Sequence, residues 1–257
     1  MQLHLERRRV QRWMLTTIAL LVAMYGVSLV LDYGFGLRRQ GGFRWLASLD
    51  MEQNPQTWYQ SVSIAWCAAL LTVCGAVARR RHERYWRYWL SFAALFAFMS
   101  LDEMSGLHDR ISEPLRRLVT GHGVFYFAWI LAWGAVLLVV GVTHLRWFLA
   151  LPTASRSRFV LAGVVYVTGA VGFEMVEGHM YSRDPDTHRL PYELSVACEE
   201  SLEMLGIFAF SRALMLHLAA VGPVELRLGV DAGPGYAADH RESDAPARSA
   251  AGLALPV

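Results

Sequence analysis

The chain has 257 residues, 54% hydrophobic and only 18% charged, with a mean hydropathy of +0.29, a balance that excludes an ordinary water-soluble domain and points to a membrane protein. The net charge of +2 provides no field to hold nucleic acid. Three cysteines, Cys67, Cys74 and Cys198, all lie in apolar runs and read as small buried hydrophobes, which argues against a disulfide framework or a zinc ribbon.

In chain order, apolar stretches of spanning length, about 20 residues each, run over 13–35, 58–78, 85–107, 123–144, 158–178 and 192–218. The expected fold is all-α, a six-helix transmembrane bundle occupying residues 1–218. The first stretch is too long for a signal-peptide core and no small-residue cleavage site follows it, so it is expected to remain in the mature chain. Arginines 7, 8, 9 and 12 precede the first helix, "ARRRHERYWR" (78–87) separates the second from the third, and Arg146, Arg156 and Arg158 lie between the fourth and fifth. The positive-inside rule puts these segments and both termini in the cytoplasm. Trp58, Tyr85, Trp86, Trp147 and Tyr192 fall near helix ends, where amphipathic rings suit the headgroup layer. Residues 219–257, rich in Gly, Ala, Pro and charge, read as a disordered cytoplasmic tail.

That topology brings the acids of four segments to one membrane face. Asp50 and Glu52 precede the second helix, and Asp102, Glu103, His108 and Asp109 close the third in "SLDEMSGLHD". Glu174, Glu177 and His179 end the fifth; Glu193, Glu199, Glu200 and Glu203 open the sixth. Between helices the opposite face holds only Glu83. At about 1.5 Å per residue, Glu199 and Glu200 lie about 10 Å along the last helix and Glu203 about 16 Å, near the bilayer midplane. An isolated carboxylate at that depth costs about 3 kcal/mol or more, so these acids must be paired, protonated or bound to metal.

Spacing decides which of them can act together. At about 100° per residue, Glu200 and Glu203, Glu199 and Glu203, and Glu174 and Glu177 each share a helix face. Glu103 to His108 and Glu174 to His179 repeat E-M-x-x-x-H, a step that would bring Glu and His together only if the helix loosened or took a π-bulge at Gly106 and Gly178. Carboxylates and imidazoles on facing helices make up the ligand set of di-iron and di-manganese bundles, and zinc accepts the same donors. All-oxygen sites would suit Ca²⁺, Mg²⁺ or Mn²⁺. His122, His144 and His217 read as snorkelling or capping residues near helix ends.

Together, "DMEQNPQTW", "SLDEMSGLHD" and "EESLEMLG" resemble the signature of a group of bacterial multi-pass membrane proteins without an established activity, over about residues 10–218. The resemblance falls on Asp50, Glu52, Asn54, Pro55, Thr57 and Trp58, then on Asp102, Glu103 and His108 with Asp109 in place of a Glu, then on Glu199, Glu200, Glu203 and, displaced by one, Gly206. It implies the bacterial inner membrane as the location.

The leading expectation is a membrane metalloprotein, a metal-dependent hydrolase or oxidoreductase, with its site near the periplasmic face. Glu103, His108, Glu174, His179, Glu200 and Glu203 would hold one or two divalent ions (Zn, Fe or Mn), while Glu177, Glu199 and Asp102 would serve as general base or supporting groups. The lipid bilayer is the surrounding partner, and the substrate would be lipid-like or small. A proton- or cation-coupled transporter using Glu200 and Glu203 is the first alternative, and a scaffold subunit with structural acids the second. Below Glu203 the last helix, "MLGIFAFSRALML", has no ionisable group before Arg212, which counts against transport.

Overall fold

The computed structural model describes residues 6–37, 41–51, 53–119, 122–185 and 189–222. Among them every regular element is helical. Helix α1 (Arg7–Leu29) runs into a π-helical turn (Val30–Gly34), followed by α2 (Gly42–Ala47), α3 (Pro55–Arg80), α4 (Trp86–Ser105) and α5 (Leu107–Val119). A short 3₁₀ turn (Gly123–Phe125) leads to α6 (Trp129–Ala150). Then α7 (Thr153–Val167), a second π turn (Thr168–Phe173) and α8 (Glu174–Arg183) form one rod, and α9 (Leu190–Val221) closes the bundle.

Among the described residues five rods are long and apolar enough to cross a membrane: Arg7–Gly34, Pro55–Arg80, Trp129–Ala150, Thr153–Arg183 and Leu190–Val221. The fragment Trp86–Ser105 makes a sixth only when joined to the following helix across a bend of 96°. The bend arises at Gly106, which takes the left-handed conformation at φ 56° and donates its N–H to the Asp102 carbonyl, ending α4. The helix expected over 85–107 therefore stops at Ser105. Beyond it α5 occupies a stretch that hydropathy reads as loop, although Leu107, Ile111, Leu115 and Leu118 recur at helical spacing within it.

Each start and stop has a local cause. Asn54 caps α3, its Oδ1 accepting from the N–H groups of Gln56 (3.0 Å) and Thr57 (3.1 Å), with Pro55 at the first helical position. Ser61 and Ser100 each donate a hydroxyl to the other's carbonyl, at 2.7 and 2.8 Å, which locks the start of α3 beside the end of α4. Helices α3 and α4 pack most extensively, α7 and α9 next. Gly206 lets α7 and α9 nearly touch: a Cβ there would lie 2.7 Å from the backbone of Tyr166.

Readings of single residues change: Trp147 and Tyr192, expected in the headgroup layer, are buried in the core. Cys198 is exposed on α9, whereas Cys67 and Cys74 are buried; α9 turns its Glu199 side inward and leaves Cys198 on the outer face. His217 neither snorkels nor caps but is buried against Trp89, its Nδ1 3.0 Å from the Ser155 hydroxyl. Helix α9 extends to Val221; the expected disordered tail from 223 onward lies outside the described residues.

Candidate functional site

Contacts between side chains and one close backbone approach set the relative directions of the helices. Gln56 pairs with Glu200 and Gln60 with Glu203, so α3 and α9 run parallel, while Ser155 meets His217 and Gly169 meets Glu199, so α7 runs against them. The starts of α3 and α9 thus meet the ends of α4 and of the α7–α8 rod at one end of the bundle. Three carboxylates are closest there: Glu174, Glu177 and Glu199 each offer an oxygen within 4.8 Å of the other two.

Local structure explains this convergence. The π turn Thr168–Phe173 shifts the helical register just before Glu174, placing Glu174 and Glu177 on the face toward α9. Gly169 in that turn lies against α9 so closely that a Cβ would be 2.7 Å from the Glu199 carbonyl and 3.1 Å from the Glu203 side chain. Glu174 Oε1 accepts from the Trp129 indole at 3.1 Å. Glu177 is 3% exposed and Glu199 7%, and Glu177 Oε1 is buried without a hydrogen-bond partner. Three such carboxylates cannot all carry uncompensated charge at this separation, because mutual repulsion adds to the cost of leaving water.

A second set adjoins the first. The Gln56 amide donates to Glu200, and the Gln60 amide donates to Glu203 Oε2 at 3.1 Å, leaving Gln60 Oε1 buried and without a partner. Glu203 also feels the charges of Glu103, Glu174 and His108, and Tyr166 lies within range of Glu203, Glu103 and Glu200. Asp102 straddles the Gly106 break: one oxygen accepts the His108 backbone N–H at 2.8 Å and the other lies 3.3 Å from His108 Nδ1. The His108 ring sits edge-on to Trp129 at 5.2 Å, which orients it toward the acids.

All these acids border one cavity of about 510 Å³. Its wall includes Asp50, Asp102, Glu103, Glu174, Glu177, Glu199, Glu200 and Glu203, with His108 and no arginine among the described residues. Gln56 and Thr57 add neutral polar groups, and the wall along α4, α6, α7 and α9 is otherwise mainly aromatic and aliphatic. Outside this set, Glu193 is used structurally: Arg44 of α2 bridges Asp32 (2.7 Å) and Glu193 (2.9 Å), and Tyr25 donates to Glu193 at 2.5 Å. Burial works against the Arg44 charge, but the contacts with Asp32 and Glu193 outweigh it and raise its pKa.

Among the residues singled out by sequence, Asp102, Glu103, His108, Glu174, Glu177, Glu199, Glu200 and Glu203 come together around the cavity. His179 does not: it packs beside Gly123 and lies outside the cavity wall. The two E-M-x-x-x-H stretches therefore differ. Glu103 and His108 flank a left-handed break, whereas α8 runs regularly through Gly178 and a five-residue step turns His179 about 140° from Glu174. The π turn expected at Gly178 lies before Glu174 instead. Glu52 and the Asp109 side chain lie outside the described residues. Sequence reasoning missed Gln56, Gln60, Trp129, Tyr166 and Arg44. The signal for the first two was present: two glutamines four apart in an apolar helix match the face spacing of Glu200 and Glu203.

Residues 14–218 match the family model described as Domain of unknown function (DUF8692), and the chain belongs to that family. No curated protein and no solved structure matches it.

Proposed function

Since the family brings no established activity, we propose a function from the site alone: an integral membrane metalloprotein, a metal-dependent hydrolase or oxidoreductase, whose cation is held by Glu174, Glu177 and Glu199. The observation that carries this reading is the Glu177 carboxylate, 97% shielded, facing a cavity between two further acids with one oxygen unpartnered. A cation supplies what that oxygen lacks and offsets the repulsion among the three groups. Of the expected ions, these all-oxygen donors suit Mn²⁺ better than Fe²⁺ or Zn²⁺. Glu200, Glu203, Glu103 and His108 border the same cavity and would act on bound substrate or hold a second ion, with Asp102 fixing the His108 ring. His179 then takes no part as a ligand.

A bound divalent ion would bring the ionisation of a coordinated water close to neutral pH, or activate dioxygen if it is iron. Glu203, beside Gln60 and His108, is placed to exchange a proton with such a group. Transport is less well supported, because past Glu203 the cavity wall turns to Phe210, Phe159 and Trp147, which offer no relay for an ion or a proton. We further propose that the termini and the arginine-rich loops face the cytoplasm of a bacterial inner membrane, that the chain beyond α9 lies in the cytoplasm, and that the site faces the periplasm.

Elemental analysis of the purified full chain tests the metal. The expected result is one or two transition ions per chain, reduced at least tenfold in Glu177→Gln and Glu199→Gln while the protein stays folded. Metal-free protein that retains its helical melt, or metal content indifferent to both substitutions, would overturn the proposal.

A further inference from the structure

We infer that the same cavity receives a single-chain amphiphile whose polar end carries no negative charge, with that end at the acids and its chain lying in the aromatic half between α4, α6, α7 and α9. The inference rests on the proposed function, in that a cation at Glu174, Glu177 and Glu199 would meet the polar end.

Three features of the cavity support it. First, its two ends differ in chemistry. Eight carboxylates border one end, while the other is walled by Trp89, Phe92, Trp147, Phe159 and Phe210. A pocket mostly apolar with a few converging polar groups is built to bury an apolar body and orient a polar tip. Second, size limits the occupant. The cavity's roughly 510 Å³ falls within the range of about 300–1,000 Å³ that takes one small-molecule ligand, which suits one fatty chain with a small head. Third, charge limits the head. No arginine lines the cavity among the described residues, and Arg44 nearby is engaged by Asp32 and Glu193. Among the described residues the fixed groups at this end are mainly acids, ionised or protonated, with one histidine and no arginine to pair an anionic head, so a phosphate or carboxylate would be disfavoured. A hydroxyl, ester, amide or amine would not.

The bundle also provides a route from the bilayer. Helix α6 buries Ile130 and Trp147 near its two ends, whereas Leu137 in its middle is 43% exposed and also forms part of the cavity wall. At that point the cavity lies one side chain from the acyl phase, and a membrane-dissolved chain can enter sideways without passing through water.

The test uses the full chain in nanodiscs, its metal content measured on the same sample. Radiolabelled hexadecanol is displaced by unlabelled hexadecanol, hexadecylamine or hexadecanoate. Hexadecanol and hexadecylamine are expected to bind at least tenfold more tightly than hexadecanoate, and Val140→Phe, which narrows the apolar half, is expected to weaken both at least tenfold without changing metal content. Should Val140→Phe fail to fold, photo-crosslinking of the unaltered protein replaces it: hexadecanol with a terminal diazirine should label Trp89, Phe92 or Trp147. Equal affinity for hexadecanoate, an indifferent Val140→Phe, or labelling confined to outward residues such as Leu138 and Val142 would overturn the inference. A loaded metal with no preference among the heads would overturn this inference alone. Absence of the metal would show in the elemental analysis and overturn the reading beneath it.

Discussion

Glu177 is surrounded by apolar helix and by two other carboxylates, and its unpartnered oxygen makes the energetic problem specific. Without a cation the protein holds a repulsive cluster that its fold must outweigh; with one, the same cluster becomes a stabilising ligand set. Glu177→Gln should therefore change sign with metal. In chelated protein it should raise the thermal midpoint, by the equivalent of about 1–3 kcal/mol, because it removes a carboxyl that must otherwise be held either protonated or against its neighbours' charge. In metal-loaded protein it should lower the midpoint. Paired melts with and without chelator measure both, and a substitution that acts equally in the two states would contradict the account. Gly169 offers a second test at this scale. A Cβ there would press on the Glu199 carbonyl at 2.7 Å, so Gly169→Ala should cost about 1–3 kcal/mol and separate the π turn from α9, lowering metal content together with the midpoint.

Among the elements, the long helices were readable because hydrophobic length alone specifies a span, and their observed limits differ from the expected ones by a few residues to several. Other elements could not be read by length. The break at Gly106, the expected point of loosening, comes from one residue adopting φ 56° as the apolar run gives way to acids, and the π turn at Thr168–Phe173 has no compositional mark. Those two irregularities set the site, since one frees His108 to meet Asp102 and the other turns Glu174 and Glu177 toward Glu199. The acidic character of the site was legible from the cost of burying charge; the grouping of Glu177 with Glu174 and Glu199 was not, because it follows from the close approach at Gly169. Helix α2 was also missed, six residues long and carrying Arg44. Arg44→Gln should leave Asp32 and Glu193 buried without their counter-charge, lowering stability by about 3 kcal/mol, near the lower limit for a broken buried pair because Arg44 is 23% exposed. Arg44→Lys should fall between, keeping the charge but losing the fork that spans both acids. Metal content should stay unchanged in both, which separates this clasp from the site. Since the Arg44 pKa is raised on folding, the stabilisation it brings is fully present below the unfolded value and is lost only as pH rises through the higher folded one. Alkaline titration over the working range should leave its contribution intact.

For the whole molecule, the division of labour follows from which helices pack tightly. Helices α3, α4, α7 and α9 form the close-packed part, and they hold the acids against glutamine amides and one another. Helix α6 is held more loosely and encloses the apolar half of the cavity. A close-packed polar end beside a sparsely packed apolar wall suits a site that must keep an ion fixed while a chain enters and leaves. The most direct test is X-ray absorption spectroscopy of the metal-loaded full chain, compared with Glu177→Gln and Glu199→Gln. The account predicts an ion with an oxygen-dominated shell, as carboxylate ligation gives, with that shell altered or lost in each variant. A sulfur shell, or a spectrum identical in the unaltered protein and both variants, would contradict it.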